Sequence, residues 1–260
     1  MTALARVLPP EPSPRERGTR ALAATRGGVR TARASRFLCS ALGELRQRYS
    51  LPGSTVPSDL SRRIHDMQWI AETMCGLHGV SVRTSGAIPR GPCLLVANHV
   101  GYLDPLAIAS VVPCVAIAKH AVSTWPLLGE ALLRLGNLFV RRGDAHSGAA
   151  VLLRARACLA RGVPVLAFPE GTTTLGDDVL PLRRGVFGLA RLTRLPVVPV
   201  AVRARPRETA WVGDQSFLPH YLRTTSRKAT QVDLAFGSPL WPELAPCAHS
   251  LAALAREQLR

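Results

Sequence analysis

Pro92-Cys93-Leu94-Leu95-Val96-Ala97-Asn98-His99-Val100-Gly101-Tyr102-Leu103-Asp104-Pro105 is the stretch whose reading decides the fold. An apolar run enters a sharp polar turn, and the apolar Leu106-Ala107-Ile108-Ala109 follow it. A short continuous apolar run that ends in a turn reads as a buried strand. Asp104 near an N-cap and Pro105 at a first helical position then predict a helix. The imidazole of His99 stands at the end of the strand, and the carboxylate of Asp104, five residues on, can fold back to meet it. A histidine held in this way can take a proton from an alcohol near neutral pH. A histidine beside a strand is more often structural, so the pair needs support from elsewhere in the chain.

The same strand-and-helix grammar continues downstream. The pattern predicts strands over 92–97, 113–118, 137–141, 163–168, 196–202 and 231–236. Helices are predicted over 103–110, 124–135, 146–161, 185–194 and 242–258. The alternation, with continuous apolar strands such as Val163-Pro164-Val165-Leu166-Ala167-Phe168, predicts an α/β fold. Its central sheet should be mostly parallel and flanked by helices. Ligands of such sheets gather at the strand ends.

Composition narrows the partners. The chain has 260 residues, 47% of them apolar, which suits one domain plus an extra segment. A formal net charge of +16 points to an anionic partner: nucleic acid, an acidic lipid surface or a phosphorylated substrate. Aromatic residues are only 5%, which counts against base stacking on single-stranded nucleic acid. Cys39, Cys75, Cys93, Cys114, Cys158 and Cys247 form no C-x-x-C pair and have no His at metal-ligand spacing. They read as thiols in a reducing compartment, without disulfides or zinc.

The amino-terminal third differs. Residues 1–35 are rich in Arg, Ala and Pro, with acids only at Glu11 and Glu16, and read as a disordered basic tail that can touch anionic headgroups. They lack the apolar run of a secretory signal, while an organelle transit peptide has a similar bias. Over 36–79 two helical stripes follow: Phe37, Leu38, Ala41, Leu42 and Leu45, then Ile64, Met67, Trp69, Ile70, Thr73, Met74 and Leu77. Trp69 with Arg62, Arg63 and His65 suits a helix at a membrane interface, and equally a helix packed on the core. No window of 18 apolar residues exists, so no spanning helix is predicted. Residues 80–260 hold the remaining motifs.

Three further stretches carry chemistry. Gly136-Asn137-Leu138-Phe139-Val140-Arg141-Arg142 delivers two guanidiniums to a strand exit, where their forks suit an anion. Phe168-Pro169-Glu170-Gly171-Thr172-Thr173-Thr174 ends another strand. There Glu170 is placed to accept a hydrogen bond from a substrate hydroxyl, and Gly171 permits close backbone approach. Leu180-Pro181-Leu182-Arg183-Arg184-Gly185 adds cations before a helix, and Pro196-Val197-Val198-Pro199-Val200 reads as a structural strand. Singly, each is ordinary surface or loop chemistry.

Together, the order N-H-x4-D, G-x-x-F-V-x-R, F-P-E-G-T and V-P-V resembles the glycerolipid acyltransferases of the 1-acylglycerol-3-phosphate (lysophosphatidic acid) acyltransferase family. Ala118-Lys119 and Trp125-Pro126-Leu127-Leu128-Gly129 also look like that family, and the resemblance covers about residues 75 to 240. It implies that His99 is the general base, oriented by Asp104, and removes the proton of a lysolipid hydroxyl. The oxygen then attacks the thioester of acyl-CoA or an acyl-carrier protein, giving phosphatidate in phospholipid biosynthesis. Arg142 would bind the acceptor phosphate, Glu170, Gly171 and Thr172 would shape the acceptor site, and Arg183 would add a second cation. Asp104 would stabilise the imidazolium as the acid of a catalytic triad does. No cofactor or metal is implied; the acyl donor is a co-substrate. The implied place is the cytoplasmic side of a membrane, peripheral or monotopic, beside an anionic surface and with no specific nucleic acid.

One departure bears on the acceptor. The third block commonly reads F-P-E-G-T-R-S, and here Thr173 and Thr174 replace its Arg and Ser. A lost charge-assisted bond is worth about 1.5–3 kcal/mol. Either Arg183 or Arg184 compensates, or the acceptor lacks a phosphomonoester, as lyso-ornithine lipid does. Trp211-Val212-Gly213-Asp214 through Phe217-Leu218-Pro219-His220 resembles acyltransferases of such lipids. A third reading, an inactive basic protein that binds membranes or nucleic acid, fits the charge but leaves the intact His99 and Asp104 without purpose.

Overall fold

The computed structural model describes residues 13–53 and 55–260. Its helices are α1 (Pro14–Arg48), α2 (Leu60–His78), α3 (Leu103–Val111), α4 (Leu128–Arg134), α5 (Ala145–Leu159), α6 (Gly185–Thr193), α7 (Phe217–Ser226) and α8 (Ala248–Leu259). Its strands are β1 (Val80–Ser85), β2 (Leu94–Ala97), β3 (Val115–Lys119), β4 (Leu138–Val140), β5 (Val165–Ala167), β6 (Val197–Arg205) and β7 (Thr230–Phe236). They form one sheet in the order β1-β7-β6-β2-β5-β3-β4. Only the β6–β7 pairing is antiparallel, so the sheet is mostly parallel, as the alternation of elements predicts.

Strand β2 lies between β5 and β6 and is wholly buried. Side chains alternate across a strand, so Leu94 and Val96 enter one core and Leu95 and Ala97 the other. The first core is closed by α5, α6 and α8, including Val151, Phe187 and Leu251. The second is closed mainly by α3, through Leu103, Ala107 and Ile108. The two-sided burial explains the unbroken apolar strands. A third core joins Leu38, Leu42 and Leu45 of α1 to Met67 and Ile70 of α2 and to Ala131 and Leu135, in and just beyond α4.

Several expectations need correction. Residues 14–35 are not a disordered tail; they form the first part of α1, while residues 1–12 lie outside the described residues. Ala and Arg, the residues behind the tail reading, are strong helix formers. Arg26 and Arg30 of this segment donate to the carbonyls of Ser226 and Arg227 at 2.8 and 2.6 Å, satisfying the end of α7. Arg63 faces no membrane: it is buried, pairs with Asp59 at 2.7 Å, donates to the carbonyls of Ser50 and Arg134 and lies over the Tyr49 ring. Trp69 is 51% exposed, edge-on to Phe37.

Two elements were missing from the sequence pattern. Strand β1 is an edge with only Val80 buried, too polar to be read as a core strand. Helix α7 carries Pro219, which reads as a breaker yet sits in the first turn, where no amide donor is needed. The predicted helix 124–135 begins only at Leu128, because Pro126 disfavours helical Trp125 and Leu127 takes φ 61°. Gly129 is required there, since a Cβ would lie 2.2 Å from the Ser123 carbonyl oxygen. The predicted helix 242–258 opens as a separate 3₁₀ turn, Pro242–Leu244, before α8.

Helix α7 is seated by two neutral histidines. His78 Nδ1 donates to the Met74 carbonyl at 2.6 Å and Nε2 accepts from the Tyr221 hydroxyl at 2.7 Å. His220 Nε2 donates to the Ala210 carbonyl and Nδ1 accepts from the Tyr102 hydroxyl, both at 3.1 Å. Burial chiefly lowers both pKa values below the ordinary 6.5. The unfolded chain therefore binds more protons below that pH, and stability rises with pH through the window. We expect unfolding free energy to fall as pH drops from about 6.5 toward 5, with a slope of up to about 1.4 kcal/mol per pH unit for each histidine. Denaturant titrations at several pH values measure it, and His78→Gln should reduce the slope.

Candidate active site

Parallel pairing of β2 and β5 brings two strand exits side by side at the carboxyl edge of the sheet. His99 follows β2 and Glu170 follows β5, and the Glu170 Oε1 atom accepts from the His99 amide at 2.8 Å. The His99 carbonyl accepts from the Thr174 amide at 2.8 Å, so both sides of the His99 backbone are held by the third block. Asn98 adds a clamp on the other flank. Its carboxamide donates to the Val202 carbonyl at 3.0 Å and accepts from the Val202 amide at 2.7 Å, which prolongs the β2–β6 pairing by a side chain.

Asp104 is the second residue of α3, two positions inward of the expected cap, with Tyr102 at the N-cap. The shift lets its carboxylate reach back over the turn. Its Oδ2 accepts from His99 Nδ1 at 2.7 Å and from the Val100 and Gly101 amides at 2.6 and 2.8 Å. The carboxylate is fully buried, 0% exposed. Its charge favours the tautomer with the proton on Nδ1, which leaves Nε2 with a lone pair. Phe168 stacks on the ring with centroids 4.2 Å apart, so the plane is fixed as well as the edge. Nε2 has no hydrogen-bond partner among the described residues.

The structure changes the reading of Glu170. Its Oε2 accepts from the Leu180 amide at 3.0 Å, so each carboxylate oxygen meets a backbone amide, and the side chain is 6% exposed. It braces the turn of His99 against the 170–180 loop and is not presented to an acceptor hydroxyl. Burial pushes the Glu170 carboxyl up, and the two amide bonds pull the other way. The Gly171 amide is likewise spent, donating to the Phe168 carbonyl at 3.1 Å, and is not an open oxyanion donor.

Gly171 has φ 74°, and a Cβ there would lie 2.7 Å from Arg183 Nε. The missing side chain thus lets Arg183 cross the third block. The Arg142 pKa is lowered, first by desolvation and then by the charge of Arg183, which places both guanidiniums within one field. Thr172 is exposed and Thr173 half-buried. The cations therefore come from the second and fourth blocks, at the same sheet edge as His99. Phe168, Asn98 and the Thr174 amide were not singled out in the sequence; the N-H pair of the first block was the available signal for Asn98.

No serine or cysteine is hydrogen-bonded to His99 among the described residues. Burial pushes the thiols of Cys75 and Cys158 up to about 11 and those of Cys93 and Cys114 up to about 12, so none is a ready nucleophile. Among the described residues no group of three His, Cys, Asp or Glu side chains is placed to hold a metal ion. A lone, oriented imidazole with cations beside it can do one thing well: deprotonate an acceptor that carries its own hydroxyl and an anionic group. Such an arrangement suits the class of reaction that transfers a group to a hydroxyl acceptor by direct attack.

The comparisons agree with this class. A family model described as Acyltransferase matches residues 79–203. A lyso-ornithine lipid O-acyltransferase of Pseudomonas aeruginosa is 33% identical over 203 residues, 75% of this chain and 76% of the relative. Human 1-acyl-sn-glycerol-3-phosphate acyltransferase alpha is 36% identical over 134 residues, 48% of this chain and 47% of the relative. The crystal structure of the 1-acyl-sn-glycerophosphate (LPA) acyltransferase PlsC from Thermotoga maritima has the same fold. It matches at TM-score 0.68 and 19% identity, covering 92% of this chain and 93% of that one. The chain belongs to the glycerolipid acyltransferase family, and it is an acyltransferase.

His99→Ala should lower kcat/KM by roughly 10²–10⁴-fold in a purified assay, and Asp104→Asn should fall in the same range because the Nδ1 proton loses its anionic acceptor. Glu170→Ala should reduce kcat about tenfold or more with little change in acceptor KM, since Glu170 touches the His99 backbone. A large KM effect with unchanged kcat would return Glu170 to the acceptor site.

Proposed function

We propose that the enzyme moves a fatty acyl group from acyl-CoA or an acyl-carrier protein to the free hydroxyl of a lysolipid. The observation that carries this reading is the 2.7 Å bond committing His99 Nδ1 to Asp104 while Nε2 stays open at a cationic sheet edge. The hydroxyl proton passes to Nε2 as its oxygen attacks the thioester carbonyl. The tetrahedral intermediate collapses to an ester, and the departing thiolate takes the proton back from the imidazolium. Asp104 stabilises that imidazolium. The reaction consumes the thioester and calls for no metal or redox cofactor.

The preferred acceptor in this reading is lyso-ornithine lipid, whose head carries a carboxylate for Arg142 and Arg183. Two features support it: Thr173 stands where the third block commonly has Arg, and the P. aeruginosa relative, a lyso-ornithine lipid O-acyltransferase, aligns over three quarters of this chain. 1-Acylglycerol-3-phosphate is the second reading, favoured by two like charges, Arg142 and Arg183, that lie in one field and would both gain from a phosphate. We place the enzyme at the cytoplasmic face of a membrane, where thioester donors and lipid acceptors meet; no described helix is long and apolar enough to cross one.

An acceptor panel with one acyl-CoA, read by product mass, tests the choice. We expect lyso-ornithine lipid to exceed lysophosphatidate in kcat/KM by about tenfold. Thr173→Arg should narrow the gap by roughly tenfold, the worth of one charge-assisted hydrogen bond. A parent enzyme that prefers lysophosphatidate reverses the assignment.

A further inference from the structure

Away from the sheet edge, α1 crosses the end of α7 and leaves a cleft of about 540 Å³. Gly27 makes the crossing possible, since a Cβ there would lie 2.2 Å from Ser226 Oγ. Leu22, Arg26, Arg223, Arg227 and Lys228 line the cleft, and among the described residues no acid does. Arg26 is partly spent on the Ser226 carbonyl. Arg227 has the exposed Glu208 at 3.4 Å, whereas Arg223 and Lys228 form no ion pair among the described residues.

Apolar side chains flank these cations. Leu22 is 68% exposed, Leu218 60% and Leu222 39%. Leu218, Leu222 and Ser226 are four residues apart and share one face of α7, which ends at the cleft; Leu22 and Arg26 share one face of α1. Large apolar groups beside unpaired cations do not suit water alone. They suit a layer with anionic heads above and hydrocarbon below.

We propose that this α1–α7 cleft is a docking surface for an anionic phospholipid bilayer, with Arg223, Arg227 and Lys228 at the headgroups and Leu22, Leu218 and Leu222 in the acyl boundary. The opposite end of α7 supports this placement. Phe217 and Tyr221 pack against Tyr102, three residues from His99, so a bilayer on α7 lies next to the catalytic turn. The proposal draws on the lysolipid reading only in that a lipid acceptor is collected from a bilayer.

Co-sedimentation of the full chain with vesicles of phosphatidylglycerol and phosphatidylcholine, without substrate, tests it. The doubly substituted variant Arg223→Glu/Lys228→Glu should lose about tenfold in vesicle affinity, and the parent should bind pure phosphatidylcholine weakly. Leu218→Ser should weaken binding at high salt, where headgroup attraction is screened. Activity on detergent-dispersed lysolipid should stay at the parent level in both variants, which also reports that they fold. Unchanged vesicle binding in the double variant overturns the proposal. So does free-CoA binding that the double variant loses while its vesicle binding stays at the parent level, which would make the cleft a nucleotide-phosphate site. His99→Ala should bind vesicles normally, so failure of the catalytic reading and failure of this one are separable.

Discussion

The three hydrogen bonds converging on Asp104 Oδ2 organise the functional end of this molecule. A carboxylate with no solvent exposure is tolerated only where donors replace its water. Here the donors are an imidazole and two consecutive amides of the same turn. The buried charge thereby dictates the turn's shape, the ring's tautomer and the direction of Nε2 together. Oδ1 has no hydrogen-bond partner among the described residues, so all three donors act on the oxygen that faces His99.

That turn is held from outside by its neighbours in the sheet. Asn98 ties it to β6, Glu170 and Thr174 tie it to the segment after β5, and the Trp211 amide donates to the Val100 carbonyl at 2.8 Å. Every one of these partners is more than seventy residues away in the chain. The catalytic geometry is therefore a property of the closed sheet and not of the local motif. The cations at this sheet edge come from separate exits, Arg142 after β4 and Arg183 before α6, and Gly171 clears the path between the blocks. This arrangement leaves Thr173 free to be uncharged without emptying the site of positive charge.

Much of the fold was legible. Parallel strands buried on two faces must be apolar throughout, and that signature marked β2 and β5, whereas β7 showed as a strand through its alternation of buried and half-exposed residues. Elements that failed to show were those whose stability comes from partners. Strand β1 is a polar edge, and α7 is amphipathic with an early proline, docked through His78 of α2 and its own His220. The Arg- and Ala-rich start misled for the same reason: its composition is that of a solvated tail, yet Arg30 binds carbonyls 195 to 198 positions downstream.

The amino-acid sequence by itself determined the α/β class, the meeting of His99 with Asp104, and the strand exits that carry Arg142 and Glu170. Those follow from local rules: apolar runs make buried strands, and polar turns between them carry chemistry. Only the tertiary structure decided that Glu170 is a brace and that Arg63 is a buried cap. It also decided that Arg183 lies over Gly171 and that α1 and α7 together expose cations and leucines. A side chain's chemical type is written in the sequence, but whether its polar atoms meet a backbone amide, another charge or solvent depends on which distant segments pack beside it.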